Sequence, residues 1–476
     1  MTARLPDPSH VRWLPYIVAA TFFMEYLDTT VVATALPQMA RSFGVGPNSL
    51  SLGMTAYMLA LAIFIPVSGW VADRCGSRTV FFGAIVVFTL ASVLCGVSQN
   101  EVEFTAARVL QGVGGAMMVP VGRLIVVRST EKSRLMQAIS TITWPAIVAP
   151  VVGPPIGGFI TTYASWRWIF LLNVPVGIAV LAVVAALVPN LRGTDRRPLD
   201  VVGLVLSGAT LTSTLYGAEL ASQPGTKPWG ALGFVAAGLV FGFIAFRHAR
   251  HHPHPLIDVS TLKVPTFSVT VVTGSLTRIG IGAVPYLMPL LFQIGFGLSA
   301  FKSGLLLLAS ALGNLGMKAL TTRILRRFGF RMVSIVDVAV AGVFIIACGL
   351  LTPAAPLALV LIVVFVYGVA RSMQFSLLAT LAYADVPQPQ MNAASTLWSA
   401  AAQMTIGLGI AFGAVSLRLG ALVHGEEAGR PFTLDDFRLA FLFAGLLTFV
   451  SVLGYMRMAH DAGQSVGGGA RRQNAS

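Results

Sequence analysis

The chain has 476 residues, 55% of them hydrophobic and only 11% charged, with a mean hydropathy of +0.79. A water-soluble domain carries about 25% charged residues, so this exterior cannot face water throughout and most of it must meet lipid. The formal net charge of +14 comes in short clusters between apolar runs, not along one polar face, which speaks against nucleic acid as a partner.

A membrane span needs about 20 predominantly apolar residues. Runs of that kind fall at roughly 12–36, 49–72, 78–98, 104–127, 135–162 and 166–188. The first follows a polar stretch, Met1 to His10, but is long and lacks a small-residue cleavage site. It is expected to be a retained span. Two further runs, about 200–220 and 229–247, are set off by the polar linkers Asn190 to Pro198 and Phe246 to Pro255. Six more lie at about 264–293, 303–323, 331–351, 357–382, 391–417 and 437–457. The expected fold is all-α integral membrane, about fourteen spans arranged six, two and six. The domains are an N-terminal bundle (1–190), a linker pair (191–255) and a C-terminal bundle (256–476).

Lys and Arg set the orientation. With the N-terminus inside, twenty fall in cytoplasmic segments, seven outside and five within spans. Both termini are therefore expected to be cytoplasmic, in a cell inner (plasma) membrane. Cys75, Cys95 and Cys348 show no metal spacing and need no disulfide. His248, His251, His252 and His254 sit among arginines in a juxtamembrane segment. They read as a basic stretch near anionic lipid, with no metal expected.

Within span 1, Glu25 and Asp28 are three residues apart and share one helix face. Carboxylates inside a span are costly and by default functional. Such groups can take a proton from one side and release it to the other, with Asp28 the coupling residue and Glu25 its helper. The plainer alternative places Glu25 in a wet cavity near the outer half, leaving only Asp28 constrained. In span 4, Arg108 lies too deep to snorkel and needs a carboxylate, carbonyls or an anionic substrate.

Between spans 2 and 3 the chain reads Gly69-Trp-Val-Ala-Asp73-Arg74-Cys-Gly76-Ser-Arg78. This compact charged hinge resembles the GxLaDrxGrk loop of the major facilitator superfamily, with Ser77 at one basic position. Arg108 to Ala116 is similar to the superfamily's RxxQGxgaa motif. Gly153-Pro154-Pro-Ile-Gly157-Gly158 resembles the antiporter motif GxxxGPxxGG, although its first glycine is Ala149 here. With Leu27 to Pro37, Trp166 to Pro175 and about fourteen spans, the chain resembles the fourteen-helix drug:proton antiporter branch, which includes multidrug and tetracycline exporters.

The resemblance implies outward transport of small molecules by alternating access, driven by the proton gradient without a cofactor, by a monomer in the lipid bilayer. It also implies a part for Arg108 in coupling protonation to opening. Asp73 is expected to face the start of span 11, near Pro389 to Asn392, and to latch the two halves in the outward-facing state. Glycines 153 and 157 permit close helix approach.

The second half carries Arg278 and Arg371 in mid-span and Lys318 toward the inner end of span 8, with almost no acids in the span interiors to pair them. They suit an anionic or chelated substrate, or else pair with carbonyls or first-half acids. Gln293, Asn314, Gln374, Trp398 and Gln403 are expected along the same pathway. Glu219, near the outer end of the first linker span, reads as solvent-exposed. A dedicated exporter of an organic anion or metal–carboxylate complex is the alternative function, and a non-transporting sensor or partner subunit a second. No HExxH or GxSxG constellation points to an enzyme.

Overall fold

The computed structural model describes residues 13–130, 135–192, 198–223, 228–253, 255–387, 390–425, 432–459 and 462. Among them there is no strand. In hydrocarbon every backbone N–H and C=O needs a partner within the protein, and helices supply it inside one segment. The first bundle comprises α1 (Leu14–Phe43), α2 (Ser51–Cys75), α3 (Ser77–Val97), α4 (Glu101–Ser129), α5 (Leu135–Thr143), α6 (Pro145–Tyr163), α7 (Trp168–Leu171) and α8 (Asn173–Leu187). A linker hairpin follows, α9 (Val201–Ser222) and α10 (Pro228–His251). The second bundle comprises α11 (Pro265–Leu290), α12 (Ala300–Phe328), α13 (Phe330–Gly349), α14 (Leu357–Ala384), α15 (Met391–Val423) and α16 (Leu434–Met456).

Thirteen stretches among the described residues are long and apolar enough to cross a membrane, with α7 and α8 together making one of them. The run expected at 135–162 is divided between α5 and α6 at Trp144. Pro145 has no N–H to continue the ladder and instead opens α6 at its first position.

The two bundles repeat one design. α2 turns into α3 at Gly76 (φ +95°), and α12 into α13 at Gly329 (φ +77°), values that side chains rarely adopt. Two residues beyond each turn an arginine reaches the last turn of its bundle's final helix. Arg78 Nη2 donates to the Ala185 carbonyl at 2.6 Å, and Arg331 Nη2 to the Met456 carbonyl at 2.7 Å. Helix C-termini leave carbonyls without partners, and a cation there suits the dipole. The position matching Asp73 is Arg326, so the second turn keeps the glycine and arginine without the acid.

The bundles meet along α6 with α12 and α2 with α15. Gly158 lies against the Ala300 carbonyl, and Gly304 against the Pro154 carbonyl, so backbones touch where a side chain would intervene. Three hydrogen bonds across this seam lie at the end away from the chain termini, the far end. Gln293 Nε2 donates to the Thr34 carbonyl at 3.0 Å, Tyr286 Oη to Asn48 Oδ1 at 2.7 Å, and the Phe301 N–H to Thr162 Oγ1 at 3.0 Å. Toward the terminal end, Arg123 of α4 is exposed and within electrostatic reach of Tyr26 of α1 and Tyr383 of α14.

α9 packs against α10, α15 and α2, so the linker hairpin straddles the seam. Its terminal end is organised by Asp200. This carboxylate caps α9 by accepting from the Gly203 N–H at 2.8 Å, accepts from the Leu256 N–H at 3.0 Å, and meets His248 Nε2 at 2.8 Å. Burial works against the charge, but these hydrogen bonds and His248 prevail and hold the carboxyl below its ordinary value. A depressed value stabilises the fold above the unfolded pKa of about 3.9, and that contribution disappears as pH falls through the folded value. Asp200→Ala is expected to cost about 1 kcal/mol for the cap alone. Faster amide exchange over 200–206, with the bundle helices unchanged, is the measurement that checks it.

Candidate functional site

The centre of the first bundle holds a closed polar cluster. Asp28 and Arg108 form an ion pair at 2.6 Å with side chains 0% and 2% exposed. Arg108 Nη1 also donates to Gln111 Oε1 at 2.5 Å. The other Asp28 oxygen accepts from Gln111 Nε2 at 2.9 Å and Asn173 Nδ2 at 3.0 Å. Ser92 Oγ accepts from both amides, at 2.9 and 3.3 Å. The guanidinium lies over the Tyr57 ring, 4.1 Å from its centroid.

The sequence explains how four of the five helices converge. Arg108 and Gln111 are one turn apart on α4 and face α1 together. Gly112 rests on the Tyr57 carbonyl of α2, and a methyl there would sit 2.6 Å from that oxygen. Gly114 leaves room for the Phe88 backbone of α3, which a methyl would meet at 2.8 Å. These glycines bring α2 and α3 close enough for Tyr57 and Ser92 to join. Of the alternatives open for Arg108, the structure realises the carboxylate partner.

Glu25 lies one turn from Asp28 on the terminal side. It is not in a wet outer cavity: it is 6% exposed, and its Oε2 has no hydrogen-bond partner. A methyl on Gly115 would sit 3.3 Å from Tyr57 Oη and 3.4 Å from the Glu25 carboxyl carbon. The glycine thus makes the space that both groups use. A buried carboxyl with an unsatisfied oxygen is poised to take up a proton or a polar ligand.

Gly153 and Gly157 of α6 face Thr30 and Thr34 of α1, with Gly157 leaving 2.6 Å between a would-be methyl and Thr34 Oγ1. Pro154 and Gly158, by contrast, face α12 of the other bundle. The motif therefore has two faces, one holding the helix that carries Asp28 and one forming the seam.

At the terminal end Asp73 pairs with Arg128 of α4 at 2.9 Å, within its own bundle. The expected partner near Pro389 to Asn392 falls largely outside the described residues, which exclude Pro389 and the side chain of Asn392. Arg74 stacks over Trp70 at 4.6 Å. Gly76 faces Asn190, whose side chain would collide with any Cβ at that position. Gly69 has open space around it.

In the second bundle Arg278 and Trp398 come together, the guanidinium 3.8 Å from the ring centroid. Arg278 is 1% exposed, beneath the tryptophan, and its Nη1 has no partner. Gln374 is fully buried and donates to Tyr455 Oη at 2.8 Å, which lies 3.2 Å from Thr277 Oγ1. Arg371 is half-buried near Phe375, 5.8 Å from its ring centroid, and Gln403 is half-buried on α15. Gln293 sits at the far-end seam, not with these groups. Lys318 is exposed.

The second half does contain a half-buried acid in a span. Asp337 of α13 has an oxygen without a partner and acts electrostatically on Tyr455. A lone Asp within the apolar run at 331–351 was the available signal. Glu219 also departs from expectation, being 0% exposed. Asp200, His248 and His252 lie within 4.8 Å of one another by their ligand atoms, while His251 is exposed and His254 lies outside the described residues. All three cysteines are free.

A sequence profile of the Major Facilitator Superfamily matches residues 18–414. The chain is 36% identical to the putative multidrug resistance protein MdtD of Cronobacter sakazakii (strain ATCC BAA-894), over 98% of this chain and 99% of that one. It is 35% identical to the protein of the same name from Salmonella heidelberg (strain SL476), over 96% and 97% of the two chains. Among solved structures, the POT family transporter PepTSo superposes with a TM-score of 0.70 at 11% identity, covering 94% of this chain and 97% of that chain. A D-xylose-proton symporter gives 0.67 at 15% identity, covering 95% and 99%. These last two share the fold. From motifs, bundle architecture and relatives together, the chain is a multi-pass membrane protein that belongs to the Major Facilitator Superfamily.

Proposed function

We propose that this protein exports small molecules in exchange for protons, by alternating access of a site between its two bundles. The observation that carries the reading is the buried Asp28–Arg108 pair beside the unsatisfied carboxyl of Glu25. Buried ionisable groups within spans mark proton and substrate pathways, and the relatives at about 36% identity are named multidrug resistance proteins. Protonation of Asp28 weakens its hold on Arg108, freeing α4 to move against α1. The first bundle corresponds to 1–190, the linker pair to 191–255 and the second bundle to 256–476.

The protein sits in the inner (plasma) membrane as a monomer with both termini cytoplasmic, an orientation supported by twenty Lys and Arg on that side against seven opposite. In this orientation the far end, joined across the seam, is the outer end and is closed here. Asp73, held now by Arg128, exchanges that partner for the start of α15 when the cytoplasmic side closes. The glycine and proline face at 153–158 supports the outward direction of transport. The proton gradient supplies the energy and no cofactor is needed.

A second reading of the substrate has its own support. Arg278 Nη1 is buried without a partner behind Trp398, an arrangement that suits an organic anion or a metal–carboxylate complex once the ring moves aside. A charge-assisted hydrogen bond contributes about 1.5–3 kcal/mol. Arg278→Gln is then expected to weaken anion transport more than tenfold and leave cationic dyes unaffected. Uptake into inverted vesicles under an imposed pH gradient, with cationic dyes and organic anions in parallel, tests both readings. Proton movement evoked by cations alone rejects the anion reading, and none with any substrate rejects antiport.

A further inference from the structure

We propose that Glu219 is a second proton-binding site, loaded from the outer vestibule, and that its proton fastens the linker hairpin across the seam to hold the outer gate closed. This rests on the orientation proposed above. Glu219 belongs to α9, outside both bundles, yet it is fully buried. Among the described residues no cation forms an ion pair with it. Its Oε2 lies 2.8 Å from Ser51 Oγ of α2.

The polar side chains that hydrogen-bond the carboxyl, Ser51, Ser222 and Gln223, are all neutral. Ser51 Oγ is also 2.7 Å from the Asn48 carbonyl, which can only accept. One hydroxyl carries one proton. It serves either Asn48 or Glu219 at one time, and a proton on the carboxyl lets both contacts be made together. Ser222 repeats the pattern: its hydroxyl donates to the Glu219 main-chain carbonyl at 2.8 Å and is 3.5 Å from Oε1. Each hydroxyl has a carbonyl competing for its one proton, and a neutral carboxyl can make the Ser51 contact with a proton of its own. The Gln223 side chain also hydrogen-bonds the carboxyl.

The charged and titratable groups that face it come from several elements. They are Arg418 of α15, Tyr286 of α11 and Glu101 at the start of α4. Arg418 Nη1 is engaged with the Ala221 carbonyl at 2.9 Å, and Glu101 brings a second acidic group to this end. From α2 comes only the Ser51 hydroxyl, and the described part of α10 presents no charge at this end.

The carboxyl is wired to the gate. Asn48, joined to Glu219 through Ser51, accepts from Tyr286 Oη of α11 at 2.7 Å. Its amide donates to the Ala414 carbonyl of α15 at 3.2 Å and to the Ser222 carbonyl of α9 at 3.4 Å. The last carbonyls of α9, which a helix leaves unpaired, are thus tied to both bundles. Asn48, Ser222, Arg418 and Asp436 also line a far-end vestibule of about 1000 Å³, which gives outside protons a route to Glu219. A deprotonated Glu219 would be a buried charge without a cation, relieved by lifting α9 and parting the seam.

The test uses the full chain in nanodiscs, with Cys75→Ser and spin labels at Ser42→Cys and Lys302→Cys, exposed positions at the outer ends of α1 and α12. The parent is expected to shift from a short to a long distance population as pH rises, with the slope of one proton. Glu219→Gln should hold the short population at every pH, and Glu219→Asp should keep a transition. A Glu219→Gln titration with the parent's midpoint overturns the proposal, as does a parent that ignores pH. Infrared difference spectra of unlabelled native protein against Glu219→Gln give an independent check, because the closed state should show the C=O stretch of a protonated carboxyl. Its absence rejects the proton. Transport by Asp28→Asn separates this idea from the exporter reading. Coupled export that survives that change defeats the exporter mechanism while the label titration stands, and the opposite pattern defeats the Glu219 site alone.

Discussion

Asp28→Asn is expected to reduce proton-driven export to the level of empty vesicles, and Asp28→Asn with Arg108→Gln to recover stability without recovering transport. The first half of this result follows from burial. Asp28 and Arg108 lie 2.6 Å apart with at most 2% of either side chain exposed. Neutralising one partner leaves the other as an uncompensated charge, at a cost of about 3–5 kcal/mol. Asn keeps the shape of the carboxyl and can still accept from Gln111 or Asn173, so the lost quantity is the charge.

The double substitution separates mechanism from fold. Replacing both members of a buried pair removes the stranded charge, and such replacements are often close to neutral in stability. If the pair were only a structural tie, the double variant would both melt and transport like the parent. If Asp28 carries the coupling proton, stability returns and uphill export does not. Thermal unfolding followed in detergent, beside uptake into inverted vesicles under a pH gradient, reads both quantities. Parent-like export by either variant refutes the assignment of Asp28.

Much of this arrangement is legible in the sequence because the bilayer makes polar residues conspicuous. Glu25, Asp28 and Arg108 stand out in apolar runs, and their energetic cost forces them toward partners. The turns at Gly76 and Gly329 are legible for a backbone reason, since each needs a positive φ. What the sequence hides is which helices meet. Ser92 and Tyr57 are ordinary residues of apolar runs until Gly112 and Gly114 bring their helices against α4. Glu219 misleads because its distance along the chain from a span end says nothing of what docks there. Ser51 covers it from 168 positions away. Asp337 is a plainer omission, a single acid whose run looked uniformly apolar.

Gly158→Leu is expected to stall transport while leaving the protein folded, whereas Gly157→Leu should unfold the first bundle. The two glycines are neighbours, but successive positions on a helix point about 100° apart. Gly157 faces α1, where a methyl would lie 2.8 Å from the Val31 carbonyl inside a single bundle. Gly158 faces the Ala300 carbonyl across the seam. Overpacking costs about 1–3 kcal/mol, and the position decides which equilibrium bears it. At Gly157 the strain falls on the bundle itself. At Gly158 it falls only on the state in which α6 and α12 touch, shifting the gate toward its outward-open form by about 5–150-fold. The outer-end label distance should therefore lengthen in Gly158→Leu, with melting unchanged and export reduced by at least tenfold. Gly304→Leu, which meets the Pro154 carbonyl from the other side, should reproduce it. A short label distance in both variants would mean that the seam does not open during transport.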